Sequence, residues 1–155
     1  MKTSRPGYTL TEMLIVVVMV GALTLITLPK FSGLVERNQL NSAREEIQAA
    51  IATARAAAVQ KGRTATLRFS GNTMWVTVVT NDAGNTATLV PVKNYRSLYN
   101  VSLSASDSMI TYDMRGFTSP RLASTAVFRI IGNSSKRDSV CLTAAGQIMP
   151  RSCSL

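Results

Sequence analysis

One uncharged apolar run near the amino terminus constrains this chain more than any other feature. Residues 13–28 read MLIVVVMVGALTLITL, and the apolar stretch of residues 8–28 contains Glu12 as its single charge. These 21 residues are enough to cross a bilayer as a helix. Lys2 and Arg5 precede the run, which favours a cytoplasmic amino terminus and an exported remainder. The sequence therefore predicts a single-pass membrane anchor.

The export signal has an inverted order. An ordinary secretory signal is cleaved after its apolar run, but no A-x-A-like site follows this one. The candidate cut lies before the run, after Gly7, and would leave the apolar segment on the mature chain with Tyr8 as its first residue. Glu12 then needs either a cationic partner, such as the Tyr8 amine, or a position at the headgroup boundary. Both interpretations of Glu12 stay open.

The segment GYTLTEMLIVVVMVGALTLITLPKF resembles the class III signal and amino-terminal helix of type IV pilins and type II secretion pseudopilins. The resemblance implies that a prepilin peptidase cuts after Gly7, that Tyr8 is N-methylated and that Glu12 helps to dock incoming subunits. Pro29 matches the helix-kinking proline of the family. The implied partners are other major and minor pilins. The implied location is the bacterial inner membrane, with a periplasmic carboxyl-terminal domain, followed by a pilus or a periplasmic pseudopilus.

The pattern of the remaining chain predicts an α+β fold. Residues 1–7 form the leader, residues 8–29 the transmembrane half of a long helix and residues 30–61 its amphipathic half, with apolar residues at threes and fours from Phe31 to Ala58. Residues 62–155 alternate instead, which predicts a small antiparallel β-sheet domain packed against the helix, with Trp75 and Phe128 in its core. The predicted strands are 64–70, 73–80, 86–92, 101–104, 109–112, 126–131, 139–143 and 147–149.

The body of the chain also resembles the GspH/FimT-type branch of the pilin superfamily. The matching segments are IATARAAAVQKGRTATLRF at the helix end, DMRGFTS at residues 113–119 and AAGQIMPR near the carboxyl terminus. Members of this branch are low-abundance initiating or tip components. The resemblance therefore implies a minor subunit and not the bulk subunit of a filament.

Two cysteines lie near the carboxyl terminus. Cys141 and Cys153 are separated by eleven residues, unlike the short CxxC spacing of zinc and redox sites. If this end is outside the cytoplasm, the spacing predicts a disulfide that closes a short loop. Two unrelated buried thiols are the alternative.

The charge of the chain favours an acidic partner. The sequence has 17 Lys and Arg against 8 Asp and Glu, and residues 62–155 hold ten of the basic and four of the acidic residues. Such a field attracts phosphate backbones. Some FimT-type members capture DNA with carboxyl-terminal arginines, which by resemblance implies double-stranded DNA contacts for Arg137 and Arg151. Lys136 belongs to the same candidate DNA-binding set. The best alternative contact site is the predicted loop 94–100 (NYRSLYN), which combines Arg96 with Tyr95 and Tyr99. The alternative is a basic surface that contacts acidic neighbours or keeps the domain soluble.

The sequence gives no support for an enzyme. It contains no His, which removes the usual general base and the commonest metal ligand, and no nucleophile has an identifiable activating base. We predict no catalytic residue, metal site or cofactor. Two functions stay open: a minor type IV pilin that initiates or tips a pilus and contributes to DNA uptake in natural transformation, or a minor pseudopilin of a type II protein secretion system.

Overall fold

A single helix, α1, occupies the first part of the chain. The computed structural model describes residues 7–118, 126–132, 136–143 and 145–149, except for the side chains of residues 26–30 and 126–128. Within this description α1 spans Leu10–Lys61, through Pro29. Gly62 follows with a φ of +57°, the left-handed conformation that commonly ends a helix. The predicted helix end at Lys61 is confirmed.

The chain divides into two compact units, residues 1–36 and residues 37–155, and α1 contributes to both. In the first unit, the predicted apolar stripe of the helix is not buried, since Phe31 is 61% and Leu34 54% exposed. In the second unit the stripe is buried from Leu40 to Ala58. The prediction that the apolar stripe is buried is therefore confirmed for the part of α1 in the second unit and wrong for Phe31 and Leu34.

Within the described ranges, seven strands and one short helix follow α1. Their bounds are β1 Ala65–Ser70, β2 Thr73–Val79, β3 Thr86–Asn94, α2 Tyr95–Tyr99, β4 Ser102–Ala105, β5 Met109–Tyr112, β6 Ala126–Ile131 and β7 Arg137–Leu142. These confirm the first six predicted strands to within two residues at each boundary. The seventh begins two residues early, at Arg137, and the predicted strand 147–149 is a single bridge between Leu142 and Ile148.

The prediction of a loop at residues 94–100 is wrong, because this segment contains the helix α2. The Asn94 side chain accepts hydrogen bonds from the backbone N–H of Arg96 (3.0 Å) and of Ser97 (3.3 Å), which caps the helix. Asn100 ends it with a φ of +53°. Tyr95 and Leu98 alone did not indicate a helix; the sequence signal for α2 was the capping residue Asn94.

The strands form two antiparallel sheets. The first has the order β3-β2-β1-β5 and the second β4-β6-β7. Asn72, in the β1–β2 turn, connects them: its side-chain oxygen accepts from the backbone N–H of Leu103 on β4 (2.8 Å), and its carbonyl accepts from the N–H of Tyr95 (2.8 Å). The turn of one sheet therefore fixes the start of the other.

The core of the second unit lies between α1 and the inner faces of both sheets. Ala43, Ala50, Ala54 and Ala58 are at most 3% exposed, and such small residues allow strands to approach the helix closely. The larger fully buried side chains from the other elements are Leu67, Met74, Val76, Val78, Tyr95, Ile110, Tyr112, Ile130 and Leu142.

Trp75 does not belong to this core. It alternates with the buried Met74 and Val76 on β2, so its half-buried side chain lies on the outer face of the first sheet, opposite Arg68. The prediction of a core position for Trp75 was wrong because alternation alone does not tell which set of positions faces inward. The side chain of Phe128 is outside the description.

Two glycines occupy positions that an alanine would not fit. Gly116, with a φ of +80°, places an added Cβ 3.0 Å from Val59 Cγ2 and 3.2 Å from Arg55 Nε on α1. Gly146, with a φ of +74°, places it 2.7 Å from Tyr112 Cε1. These glycines are those of the DMRGFTS and AAGQIMPR segments, so both segments have a physical reason for their glycine.

Candidate assembly segment and basic surface

The segment of residues 7–25, called here the assembly segment, presents apolar side chains to its surroundings. Its large hydrophobic residues are 51–84% exposed in the chain alone, from Leu10 at 84% to Leu25 at 76%. They cover the whole circumference of the helix and not one stripe. A helix that is apolar all round needs lipid or other protein segments around it.

The hydroxyl group of Thr24, near the carboxyl-terminal end of this segment, is satisfied locally. Thr24 Oγ1 donates to the carbonyl of Gly21 at 2.8 Å. Such a bond satisfies the hydroxyl without water, as an apolar environment requires. In the part of the chain that the structure describes, no helix has the length and hydropathy needed to cross a membrane.

The amino-terminal end of α1 positions the predicted processing and docking residues. Gly7 and Tyr8 precede the helix and are exposed, Tyr8 to 77%. Thr9 caps the helix, since its Oγ1 accepts from the Glu12 N–H and its carbonyl from the Met13 N–H, both at 3.2 Å. Glu12 therefore lies in the first helical turn, where the helix dipole favours a carboxylate.

This capping role is a feature that the sequence analysis missed. The spacing Thr9-x-x-Glu12 is the pattern of a capping box, and it was visible in the sequence. Glu12 therefore has a candidate role in capping α1, in addition to pairing with a cation or lying at the headgroup boundary. The side chain of Pro29 lies outside the description, so its kinking role stays a prediction.

The second candidate site is the outer face of the second sheet. Its strand register places Ser104, Arg129 and Ser139 in one row and Ser102, Ile131 and Arg137 in the next. Arg129 and Arg137 are diagonal neighbours on adjacent strands, so their side chains start about 7–8 Å apart on the same face. We call Arg96, Ser102, Ser104, Arg129 and Arg137 the basic surface.

Arg96 reaches this surface from α2. Arg96, Asn100, Ser102 and Gly132 line one depression of about 140 Å³, and a second depression of about 220 Å³ is lined by Ser104, Ser106 and Arg129. Guanidinium and hydroxyl groups are hydrogen-bond donors suited to anionic oxygens. Arg96 shares its depression with Ile131, whose partner on β7 is Arg137. Arg129, which was not singled out from the sequence, lies on the same face as Arg137.

The acidic residue of β7 faces away from the basic surface. Asp138 lies on the inner side, where its carboxylate pairs with Arg44 of α1 at 3.6 Å. A second ion pair joins Lys93 of β3 to Glu46 of α1 at 2.5 Å. The Glu46 carboxylate raises the pKa of Lys93 above its ordinary value by accepting its hydrogen bond. Both acids therefore hold the domain on the helix and leave the basic surface positive.

The structure leaves only part of the alternative contact site at residues 94–100 (NYRSLYN) exposed. Tyr95 is fully buried, and its hydroxyl contacts the Met74 sulfur at 3.8 Å, so it is a core residue and not a surface contact. Burial raises the pKa of the Tyr95 hydroxyl far above its ordinary value. Tyr99 is half-buried beside Glu46. Of Tyr95, Arg96 and Tyr99, Arg96 is the residue that is exposed to a ligand.

Several predicted residues lie outside the described part of the chain. Arg151 and Cys153 belong to this set, so the DNA contact of the first and the disulfide of the second stay predictions. Lys136 is half-buried at the turn before β7, where its carbonyl accepts from the Gly132 N–H at 2.7 Å. Among the described residues, no group of three His, Cys, Asp or Glu side chains is placed to hold a metal.

Comparisons with known proteins agree with this architecture. The family described as "Type II transport protein GspH" matches residues 43–146. No curated protein is significantly similar to the chain in sequence. A crystal structure of the type IV minor pilin FimU from Pseudomonas aeruginosa matches with a TM-score of 0.59 at 22% identity, covering 77% of this chain and 98% of FimU. A second crystal form of FimU gives 0.55 at 21% identity, covering 74% and 99%. At these identities the likeness concerns the fold.

Proposed function

The chain belongs to the GspH family of pilin-like structural subunits, and we propose that within it the protein is a minor type IV pilin. In this role it assembles with major and minor pilins as an initiating or tip component of a pilus. The observation that carries the proposal is the assembly segment, whose apolar side chains are 51–84% exposed in the single chain. They can be covered first by the inner membrane and then by the helices of neighbouring subunits.

The processing steps follow from the same segment. We propose that residues 1–7 are removed by prepilin peptidase, that Tyr8 is N-methylated and that residues 8–29 anchor the subunit with residues 62–155 in the periplasm. The exposed, non-helical position of Gly7 supports access for the peptidase. The exposed carboxylate of Glu12 is available to the amine of a neighbouring subunit. The intact mass of the mature protein should start at Tyr8; a chain still starting at Met1 in cells with active peptidase would contradict this step.

A gene deletion tests the pilus assignment. We expect the deletion strain to lose surface pili, counted by electron microscopy, while the amount of secreted exoproteins stays unchanged. The intact gene should restore pili. A Glu12→Ala variant should not, although its level in the membrane matches the wild type.

A role in type II secretion is the second candidate, and the description of the matched family favours it. In that role the protein is a minor pseudopilin of a short periplasmic filament. The same deletion strain separates the two. Loss of exoprotein secretion with normal pili would replace the pilus assignment with this one.

Direct capture of double-stranded DNA is a further role of the basic surface that could accompany the pilus function. Its three arginines are Arg96, Arg129 and Arg137. In the described part of the chain, no Asp or Glu side chain forms an ion pair with any of them. Full-length protein in neutral detergent should bind duplex DNA with an affinity that falls steeply with salt. An Arg129→Ala, Arg137→Ala variant should reduce the salt slope by about 2, since each phosphate contact contributes about 1.

Matched controls make this experiment specific. Arg68→Ala removes an equally exposed arginine from the other sheet and should leave the slope unchanged. Arg151→Ala, combined with Arg137→Ala, tests the residue outside the description. Equal slopes for all variants would remove the basic surface from DNA binding.

We also propose that Cys141 and Cys153 form a disulfide. Cys141 is 1% exposed on β7, and its carbonyl accepts from the Met149 N–H at 2.9 Å, so the chain passes Cys141 four residues before Cys153. Four residues can span up to about 13 Å, enough to return. Alkylation should add no mass to the unreduced protein and two adducts after reduction; adducts without reduction would refute the bond.

A further inference from the structure

The carboxyl-terminal hairpin comprises residues 141–143 and 145–149, which are joined by the bridge between Leu142 and Ile148. Together with the outward side of α1 it lines a groove of about 470 Å³ within the unit of residues 37–155. Its volume lies in the range of sites that hold ligands or side chains of a partner. The lining includes Ile51, Arg55, Ala56, Val59, Gly146 and Ile148. We call it the helix–hairpin groove. Neither the assembly segment nor the basic surface contributes to it.

The floor of the groove allows a close approach to α1. Ala52 and Ala56 lie one turn apart on the helix and both are exposed, so only methyl groups cover the backbone there. Val59, also exposed to 51%, extends the apolar lining. A partner can therefore place an apolar side chain against the helix without displacing a larger residue.

Arg55 is the only ionisable residue among the described lining residues, and it is half-buried. Its side chain lies close to the turn at Gly116, where an added Cβ would lie 3.2 Å from Arg55 Nε. Throughout the described ranges, no carboxylate forms an ion pair with Arg55. A partly desolvated guanidinium beside apolar surface is best satisfied by a carboxylate, which can accept two parallel hydrogen bonds.

We propose that the helix–hairpin groove docks a segment of a neighbouring pilin subunit that presents an apolar side chain next to an Asp or Glu. The apolar side chain covers Ala52, Ala56 and Val59, and the carboxylate binds Arg55. This partner is inferred from charge complementarity. Because the chain has a net charge of +9, we expect the carboxylate that pairs with Arg55 to come from a neighbouring subunit. The inference rests on the proposed function, since it takes the partner from the filament.

Site-specific photo-crosslinking in cells tests the proposal. A benzoylphenylalanine at Gln60, which lines the groove, should crosslink the full-length protein to another pilin. Mass spectrometry should locate the crosslink within about one helical turn of an Asp or Glu on that pilin. The same probe at Thr53, an exposed residue of α1 outside the groove, should give little of this product.

Variants of Arg55 decide the role of the charge. Arg55→Gln should lower the crosslink yield at Gln60 about tenfold, the effect of losing one charge-assisted hydrogen bond, whereas Arg55→Lys should retain most of it. Circular dichroism and the unfolding midpoint of each variant control for folding. Yields that do not change in Arg55→Gln would overturn the proposal.

The remaining outcomes also decide. Crosslinks to residues 119–125 or 150–155 of the same chain would show that the groove is covered from within, and crosslinks to a protein that is not a pilin would assign it another partner. Absence of any product would show an unoccupied surface. Each of these overturns the proposal, while the proposed function is judged separately by the pili and exoproteins of the deletion strain.

Discussion

The single negative charge of Glu12 is involved in two interactions, one with the amino-terminal end of its own helix and one, as proposed, with a neighbouring subunit. In the first turn of α1 its backbone N–H donates to the Thr9 hydroxyl oxygen, and the residue lies at the positive end of the helix dipole. If residues 1–7 are removed as proposed, the new amino group at Tyr8 would add a positive charge to the same end. Under that proposal, Glu12 would offset this charge within its own chain until a neighbouring subunit competes for the carboxylate.

Gly146 provides a stability prediction at the residue scale. In Gly146→Ala the added Cβ would lie 2.7 Å from Tyr112 Cε1, in a backbone with a φ of +74°. Gly84→Ala is the matched control, since its φ is +80° but its added Cβ meets nothing within 4 Å. We expect Gly84→Ala to cost about 1–2 kcal/mol in the free energy of unfolding from backbone strain alone.

The overlap with Tyr112 should make Gly146→Ala about 1–3 kcal/mol worse than its control. Urea unfolding of both variants, followed by circular dichroism, gives the comparison. Equal losses for the two variants would mean that the hairpin moves away from Tyr112 at no cost, contrary to the packing described here.

At the scale of elements, local patterns determined most of what could be predicted. The end of α1 at Lys61 and the strands from β1 to β6 followed from a change of period and from turn residues. What the patterns lacked was the pairing between strands. Arg129 became part of the basic surface only because the register sets it beside Ser104 and Ser139, a long-range relation that no short window contains.

Trp75 and α2 show two further limits. Both faces of β2 contain apolar residues, so alternation could not decide whether Trp75 or Met74 faces α1. The helix α2 has only five residues, too few for a hydrophobic period to appear, and its position depends on the Asn94 cap and the burial of Tyr95. In both cases the tertiary packing decided between local alternatives.

The turn between β1 and β2 carries a prediction at this scale. Asn72→Ala removes the oxygen that accepts from the Leu103 N–H at 2.8 Å and leaves this partly buried donor unpaired. Because the first sheet is joined to β4 through this bond, we expect a loss of about 1–2 kcal/mol in unfolding free energy. Hydrogen exchange at Leu103 should accelerate.

Asn81→Ala is the control for this change. The Asn81 side chain also accepts from a backbone N–H, that of Asn85 at 2.9 Å, but inside an exposed loop. Water can replace that bond, so the loss should stay within about 0.5 kcal/mol. Similar losses for both variants would argue against a special role of Asn72 between the sheets.

At the scale of the whole molecule, the two units differ in how they meet water. The unit of residues 37–155 buries a core of apolar side chains, whereas the assembly segment of the other unit leaves all its large apolar side chains exposed. Folding of the domain therefore does not depend on covering the assembly segment. This separation is what a subunit needs if it folds first and is assembled later.

Two buried tyrosines contribute to the loss of stability of the domain at alkaline pH. Burial raises the pKa of Tyr112 to about 12 and that of Tyr95 still further, because the ionised phenolate cannot be solvated in the core. In the unfolded chain both groups titrate near pH 10. The stability they contribute is thus complete below about pH 10 and is lost as the pH rises through about 12.

On the acid side, backbone hydrogen bonds from Phe117 and Arg115 lower the pKa of Asp113, so its contribution is present above pH 4 and lost below it. Unfolding free energies measured from pH 4 to 12 should therefore form a plateau that falls steeply above pH 10. Tyr112→Phe, which keeps the ring but loses the bond to the Gly146 carbonyl (3.1 Å), should lower the plateau by about 1 kcal/mol. Its alkaline fall should also be shallower by up to one proton, about 1.4 kcal/mol per pH unit. An unchanged alkaline slope in this variant would show that Tyr112 does not control the transition.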